Sequence, residues 1–120
     1  MDSDTYRVAV YGTLRRGKGN HHLLKGQTFV GRCTLAAITL YDLGDFPGAK
    51  RQASEGVVVE VYDVDAGTMA MLDLLEDYHP EAPKEGLYER AQLHTPFGRA
   101  WVYLYNPPVE GYKAIRLGAW

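Results

Sequence analysis

The stretch EGVVVEVYDVDAGTMAMLDLLEDY, residues 55–78, decides the fold because it carries both kinds of regular secondary structure. Its first part, residues 55–65, is rich in valine and ends at an aspartate, which is typical of a strand. Asp65 is a favourable helix N-cap, and apolar residues recur with helical spacing over 66–78. We therefore expect a strand that leads directly into the main helix.

Four further segments have the composition of strands and end near turn-forming residues: 6–12, 29–44, 87–95 and 99–106. The tetrapeptide TPFG at 95–98 predicts a hairpin with a type I turn that has Pro96 at its first central position. A second, short helix is indicated over 20–24. About five strands and few helices favour an α+β fold in which a small mixed β-barrel is flanked by the helices.

Composition and length limit the class of protein. With 120 residues, 46% of them hydrophobic, the chain can bury one core and is too short for two ordinary domains, so we expect a single domain over 1–120. The net charge of -2 and the pI near 6.0 provide no basic field, and we expect neither nucleic acid nor a membrane as a partner. No heptad pattern or exposed apolar helix stands out, so the oligomeric state stays open, with a monomer preferred.

Two features favour a cytoplasmic protein. Residues 1–7, MDSDTYR, contain neither the basic nor the apolar region of a signal peptide. The single cysteine, Cys33, cannot form an internal disulfide.

Metal binding is not expected, because no two of the four histidines have the helical spacing of a ligand pair. We predict no metal site.

The predicted helix presents a carboxylate to the interior. At 100° per residue, Glu76 lies between Met69 and Leu72 on the helical wheel, whereas Asp73 and Asp77 project from the flank. Burial of a carboxyl raises its pKa towards the range that suits proton transfer, so Glu76 is our candidate general base. The alternative is that Glu76 lies at the edge of the buried arc and pairs with a surface arginine, and periodicity alone does not decide between the two.

A glycine-rich loop follows the first strand in VAVYGTLRRGKGN, residues 8–20. Gly12, Gly17 and Lys18 have the spacing of a phosphate-binding loop, but Gly19 stands where such a loop needs a hydroxyl to ligate magnesium. The backbone N–H groups that follow Gly12 can instead converge on an anion or an oxyanion. On the residues alone, the loop is therefore a candidate anion or oxyanion site.

Four segments together resemble one family: VYGTLRRGKGNHHLL (10–24), LYDLGDFPGA (40–49), the stretch 55–78 and YERAQLHTPFGRAWVYLYN (88–106). In this order they are similar to the gamma-glutamylcyclotransferase-like family, which includes plant avirulence-induced proteins, gamma-glutamylamine cyclotransferases and small bacterial members. The resemblance covers nearly the whole chain. It implies a compact barrel of mixed strands with a cavity between the first loop and the main helix.

The activity that the resemblance implies is an intramolecular aminolysis without a cofactor. A gamma-glutamyl amide, the small-molecule substrate, would cyclise to 5-oxoproline and release its amine. Carried onto this chain, the catalytic glutamate falls on Glu76, and Arg90 in the Tyr-x-Arg motif is expected to be structural. The residues expected to bind the substrate and its oxyanion are Tyr11, Gly12, Thr13, Leu14, Tyr88 and Tyr103. Asp45 and Phe46 match a pocket-lining turn that varies among members.

Two other functions are compatible with the sequence. The first is a small-molecule-binding module that keeps the fold and catalyses nothing, because a fold does not guarantee an activity. The second is a nucleic-acid accessory protein that would use the basic and imidazole side chains near the loop, namely Arg15, Arg16, Lys18, His21 and His22.

Overall fold

The computed structural model describes residues 5–115 and 118–120, so the amino-terminal residues 1–4 used in the expectation about targeting lie outside it. The strands are β1 (Thr5–Val10), β2 (Thr28–Leu35), β3 (Thr39–Asp42), β4 (Pro47–Lys50), β5 (Val57–Asp65), β6 (Tyr88–Thr95) and β7 (Gly98–Tyr105). The α-helix is α1 (Ala66–Leu75), and short 3-10 helices form at His21–Leu24 and Pro83–Glu85. None of the helices in these ranges is long and apolar enough to cross a membrane.

Five of the strands form one mixed sheet in the order β2-β5-β1-β7-β6. β5 pairs antiparallel with both β1 and β2, and β6 pairs antiparallel with β7. β1 and β7 are parallel, with Val8 opposite Trp101. β3 and β4 form a separate antiparallel pair.

Both faces of the large sheet are buried, because alternate residues of its central strands enter two different cores. On β5, Val59 and Val61 contribute to a core that the β3–β4 pair completes. Tyr62, on the opposite face, contributes to a second core, against which α1 packs through Met69 and Leu72. The second core therefore fixes α1 against the sheet.

The α+β class is confirmed, and the sheet is strongly curled. β2 approaches the β6–β7 turn so closely that the Phe97 ring leaves no room for a Cβ atom at Gly31. In the described ranges β2 and β6 are not hydrogen-bonded to each other, so the sheet does not close into the barrel that we expected.

The strand boundaries differ from those expected in the middle of the chain. The predicted strand 29–44 is broken after Leu35 and resumes as β3, and β4 was not predicted. The predicted hairpin at 95–98 is confirmed, with Thr95 paired to Gly98. No break signal such as glycine or proline marks residues 36–38, whereas β4 begins with Pro-Gly, a pair typical of turns.

The main helix begins where the sequence predicts and ends earlier. The Asp65 side chain caps its start by accepting the Thr68 N–H at 2.7 Å. α1 ends at Leu75 because Asp77 adopts a positive φ of 56°, so Glu76 is the C-cap instead of an internal helical residue. The outer face also exposes more apolar surface than we expected, with Leu74 83% exposed.

Candidate active site

All the sequence-predicted site residues surround one cavity of about 310 Å³ at the end of β1. They are Tyr11, Gly12, Thr13, Leu14, Glu76, Tyr88 and Tyr103. The loop after β1 forms one side of the cavity, and the end of α1 contributes to another. The roles of these residues in binding and catalysis remain predictions.

Glu76 lies on the cavity wall because α1 ends beside it. The anchoring residues Met69 and Leu72 are buried, and the Glu76 N–H donates to the Leu72 carbonyl at 2.9 Å. The Glu76 side chain is mostly buried and forms no hydrogen bond or ion pair with any described residue. Burial raises the pKa of its carboxyl from 4.5 to about 7. The helical-wheel prediction of an inward-facing carboxyl is confirmed, and no described arginine pairs with it.

Three tyrosines stand close to this carboxyl. Burial raises the pKa of Tyr11, Tyr88 and Tyr103, and the negative charge of Glu76 raises each of them further. The phenols therefore stay protonated at neutral pH, which leaves the carboxyl of Glu76 as the proton carrier among these four groups.

The hydroxyl proton of each tyrosine is already donated to a protein acceptor. Tyr11 donates to the Tyr103 carbonyl at 2.6 Å, and Tyr88 donates to the Pro47 carbonyl at 2.8 Å. Tyr103 donates to Asp73 Oδ1 at 2.7 Å. Because a phenol has one proton, the hydroxyls of Tyr88 and Tyr103 can offer a ligand only their lone pairs, whereas the Tyr11 oxygen also accepts the backbone N–H of Ala49. The tyrosine wall of the cavity is therefore an acceptor surface.

The loop after β1 offers the opposite chemistry. The N–H groups of Gly12, Thr13 and Leu14 donate to no acceptor in the described part of the chain. Asn20 fixes the loop, because its N–H donates to the Thr13 carbonyl and its side-chain amide to Thr13 Oγ1, both at 2.9 Å. Glycine is required at position 12, since a Cβ there would lie 2.9 Å from Pro47 Cγ. The loop wall is a donor surface.

Asp73 was assigned to the helix flank from the sequence, and its contact with the site was missed. It accepts the Tyr103 hydroxyl and lies 3.1 Å from Arg90 Nε. The Arg90 guanidinium lies over the Trp101 ring at 4.4 Å, so it holds Asp73 without reaching the cavity. Periodicity within one helix contains no signal for such a contact, because Arg90 and Tyr103 belong to β6 and β7.

The rim of the cavity contains further polar groups. Asn20 and the β3–β4 turn residues Asp45 and Phe46 line it, so the variable turn that the sequence singled out does reach the site. Asp45 and Glu76 are the charged residues among the lining residues described. The basic residues of the loop do not line the cavity. Arg15 donates to the carbonyls of Tyr11 and Trp120, Arg16 lies over the Phe29 ring, and Lys18 lies near the Trp120 ring.

Comparison with known proteins gives the family. The family model "Gamma-glutamyl cyclotransferase, AIG2-like" matches residues 8–120. The chain belongs to this family. Among gamma-glutamyl cyclotransferase-like proteins, YtfP of Escherichia coli K12 is 39% identical over 114 residues, which cover 95% of each chain.

Two further proteins are similar to this chain over most of its length. A gamma-L-glutamyl-butirosin B gamma-glutamyl cyclotransferase from Niallia circulans is 33% identical over 116 residues, covering 92% of this chain and 72% of that protein. The crystal structure of an uncharacterized Pyrococcus horikoshii protein superposes with a TM-score of 0.78 at 32% identity, covering 95% of this chain and 88% of that one. The resemblance inferred from the sequence is thus confirmed.

The raised pKa of Glu76 predicts a pH-dependent loss of stability. The folded state holds the Glu76 proton up to about pH 7 while the unfolded chain releases it near 4.5, so the free energy of unfolding falls as the pH rises through this window. At pH 8 the free energy of unfolding of Glu76→Gln should exceed that of the wild type by up to about 3 kcal/mol, and the difference should shrink towards pH 4.5. Urea denaturation at several pH values measures it.

The matched control is Glu81→Gln, which removes an exposed carboxyl and should give no such gain at pH 8. A Glu76→Gln variant no more stable than the wild type at pH 8 would contradict the burial of this carboxyl.

Proposed function

We propose that this protein is a gamma-glutamyl cyclotransferase that converts a gamma-glutamyl amide into 5-oxoproline and a free amine, with Glu76 as general acid and base. The observation that carries the proposal is the Glu76 carboxyl itself. It lies on the wall of a cavity, it has no described partner, and its pKa is about 7. Family membership supports a cyclotransferase activity, and the Niallia circulans relative is named for a gamma-glutamyl substrate.

The two walls of the cavity suggest how the substrate lies. A substrate α-ammonium group is a donor, and it fits the acceptor surface formed by Glu76 and the hydroxyls of Tyr88 and Tyr103. The γ-carbonyl oxygen is an acceptor, and it fits the N–H groups of the loop. In this orientation the attacking nitrogen lies beside the base and the developing negative charge lies beside the donors.

The reaction then needs only proton transfers through one carboxyl. Ionised Glu76 takes a proton from the α-ammonium, and the freed amine attacks the γ-carbonyl carbon to form a C–N bond. The loop N–H groups donate hydrogen bonds to the resulting oxyanion. When the intermediate collapses, the bond to the leaving nitrogen breaks. Overall two protons pass from the attacking to the leaving nitrogen, Glu76 carries them in turn, and the carboxyl is regenerated.

The magnitudes are compatible with such a simple site. The nucleophile is tethered to its electrophile, so holding the substrate folded recovers part of an advantage of about 7 kcal/mol or more. A general acid-base group contributes about 100-fold or more, and it does so best when its pKa lies near the operating pH. The pKa of Glu76, at about 7, meets that condition.

Replacement of Glu76 tests the proposal. We expect Glu76→Gln to lower kcat for release of 5-oxoproline by about 100-fold or more, since the amide cannot accept the ammonium proton. A panel of gamma-glutamyl amino acids, glutathione and gamma-glutamyl-lysine, assayed for 5-oxoproline, identifies a substrate for this comparison, and Glu81→Gln is the control that should keep full activity. Undiminished turnover by Glu76→Gln would refute the role of Glu76.

The panel also distinguishes an enzyme from a binding module. A non-catalytic module would show a higher Tm with one of these compounds, through mass action, without any 5-oxoproline being formed by the wild-type protein. That result would overturn the proposed activity.

The acceptor surface gives a second prediction. Tyr103→Phe removes a lone-pair acceptor from the cavity, so KM for the substrate should rise by about 10-fold, the effect of one lost hydrogen bond to a charged group. Tyr105→Phe is the matched control, because Tyr105 lies on the same strand and does not line the cavity. Steady-state kinetics measure both, and an unchanged KM for Tyr103→Phe would show that this hydroxyl does not bind the ammonium group.

A further inference from the structure

Glu60 is a buried carboxylate outside the cavity. It lies in β5, it is 1% exposed, and it sits opposite Val10, the last residue of β1. Its Oε1 accepts the backbone N–H of Arg16 at 2.9 Å and the hydroxyl of Tyr62 at 3.0 Å. The guanidinium of Arg32, 3.8 Å from Oε2, is largely exposed. Of these neighbours only Val10 lines the cavity, and Glu60 itself does not.

A carboxylate in such a place is costly unless its hydrogen bonds compensate for lost hydration. The contact with Arg16 is the unusual one, because it joins the interior of a strand to a backbone group in the loop. The alternation along β5 places Glu60 on the same face as Tyr62 and Val64, which both belong to the core beneath that loop. Through its hydrogen bond with the Arg16 N–H, Glu60 therefore connects this core to the loop.

The position of Arg16 gives the contact its consequence. The sheet fixes the chain at Val10, and Glu60 fixes it again at Arg16. The N–H groups of Gly12, Thr13 and Leu14, for which no acceptor is described, lie between these two points. A turn bond from the Arg15 N–H to the Gly12 carbonyl at 3.0 Å links the residue before Arg16 to the first of these donors. Movement at Arg16 would thus be transmitted to the donors.

We propose that Glu60 is a positioning residue of the cyclotransferase reaction, which holds the loop N–H groups in place by accepting the Arg16 N–H. This inference rests on the proposed function. Glu60 touches neither the cavity nor the substrate, so its loss should affect the oxyanion more than the ground state. A displacement of about 1 Å at a reacting centre commonly costs about 100-fold in rate.

The test compares two replacements of Glu60 with a control on the same strand. Glu60→Gln keeps an oxygen acceptor for the Arg16 N–H, whereas Glu60→Met keeps the length of the side chain and removes the acceptor. Asp63→Met removes the β5 carboxylate that pairs with Arg7 at 2.7 Å, near the other end of the strand. We expect kcat to fall at least about 10-fold in Glu60→Met, with KM within about twofold of wild type, and to be nearly restored in Glu60→Gln. Asp63→Met should keep the wild-type kcat even where its Tm falls.

Amide hydrogen exchange of the wild-type protein tests the anchor without any activity assay. The Arg16 amide should exchange at least about 10-fold more slowly than the amide of Gly17, which has no described acceptor in the same loop. Equal exchange of the two amides would overturn the inference. Because this measurement uses the wild-type protein, it decides the question even where Glu60→Met fails to fold. A wild-type kcat in Glu60→Met, or a kcat that falls equally in Asp63→Met, would overturn it as well. A protected Arg16 amide in a wild-type protein that makes no 5-oxoproline would instead overturn the proposed function.

Discussion

Burial of the Glu76 carboxyl without a cationic partner is the constraint on which the site depends. An ionised carboxyl in that position is disfavoured by the loss of hydration, and the described structure offers no arginine or lysine to compensate. The helix tolerates the carboxyl because α1 is held against the sheet by Met69 and Leu72 and stops at Glu76. The packing of one short helix thus offsets the cost of burying a carboxyl that can change its protonation state near neutral pH.

Hydrogen-bond acceptors and donors are separated around Glu76. Each nearby tyrosine has committed its proton to the protein, so the carboxyl faces groups that only accept, while the loop across the cavity presents groups that only donate. Both walls are held from outside the cavity. Asp73 and Arg90 orient Tyr103, and Glu60 accepts the N–H of Arg16 in the loop. Two carboxylates, the part-buried Asp73 and the buried Glu60, thus support the walls of the cavity, and we propose that a third, that of Glu76, carries out the chemistry.

The sequence predicted those features that depend on local spacing. The wheel position of Glu76 relative to Met69 and Leu72 predicted its inward direction, and Asp65 marked the start of the helix. The family resemblance supplied the tyrosines, which no periodicity distinguishes from core residues. The end of the helix was missed: Asp77 adopts a positive φ, and its side chain contacts Leu87 and His79, which lie beyond the helix.

Features set by distant contacts were not predicted. The partners of Asp73 lie on β6 and β7, and β4 forms only by pairing with β3. Glu60 did leave a signal that was overlooked, because it is the acidic residue that interrupts VVVEVY, residues 57–62, in a strand buried on both faces. A charge at such a position requires a compensating partner, and that requirement could have been inferred from the sequence before any coordinates.

The most direct measurement of the central claim is the pKa of Glu76 itself. An NMR titration of the protein labelled with ¹³C at the glutamate side-chain carboxyl carbon, with the Glu76 resonance assigned by its absence in Glu76→Gln, reports this value without substrate or turnover. The account predicts a midpoint of about 7. A midpoint near 4.3, the value of a hydrated glutamate, would contradict it.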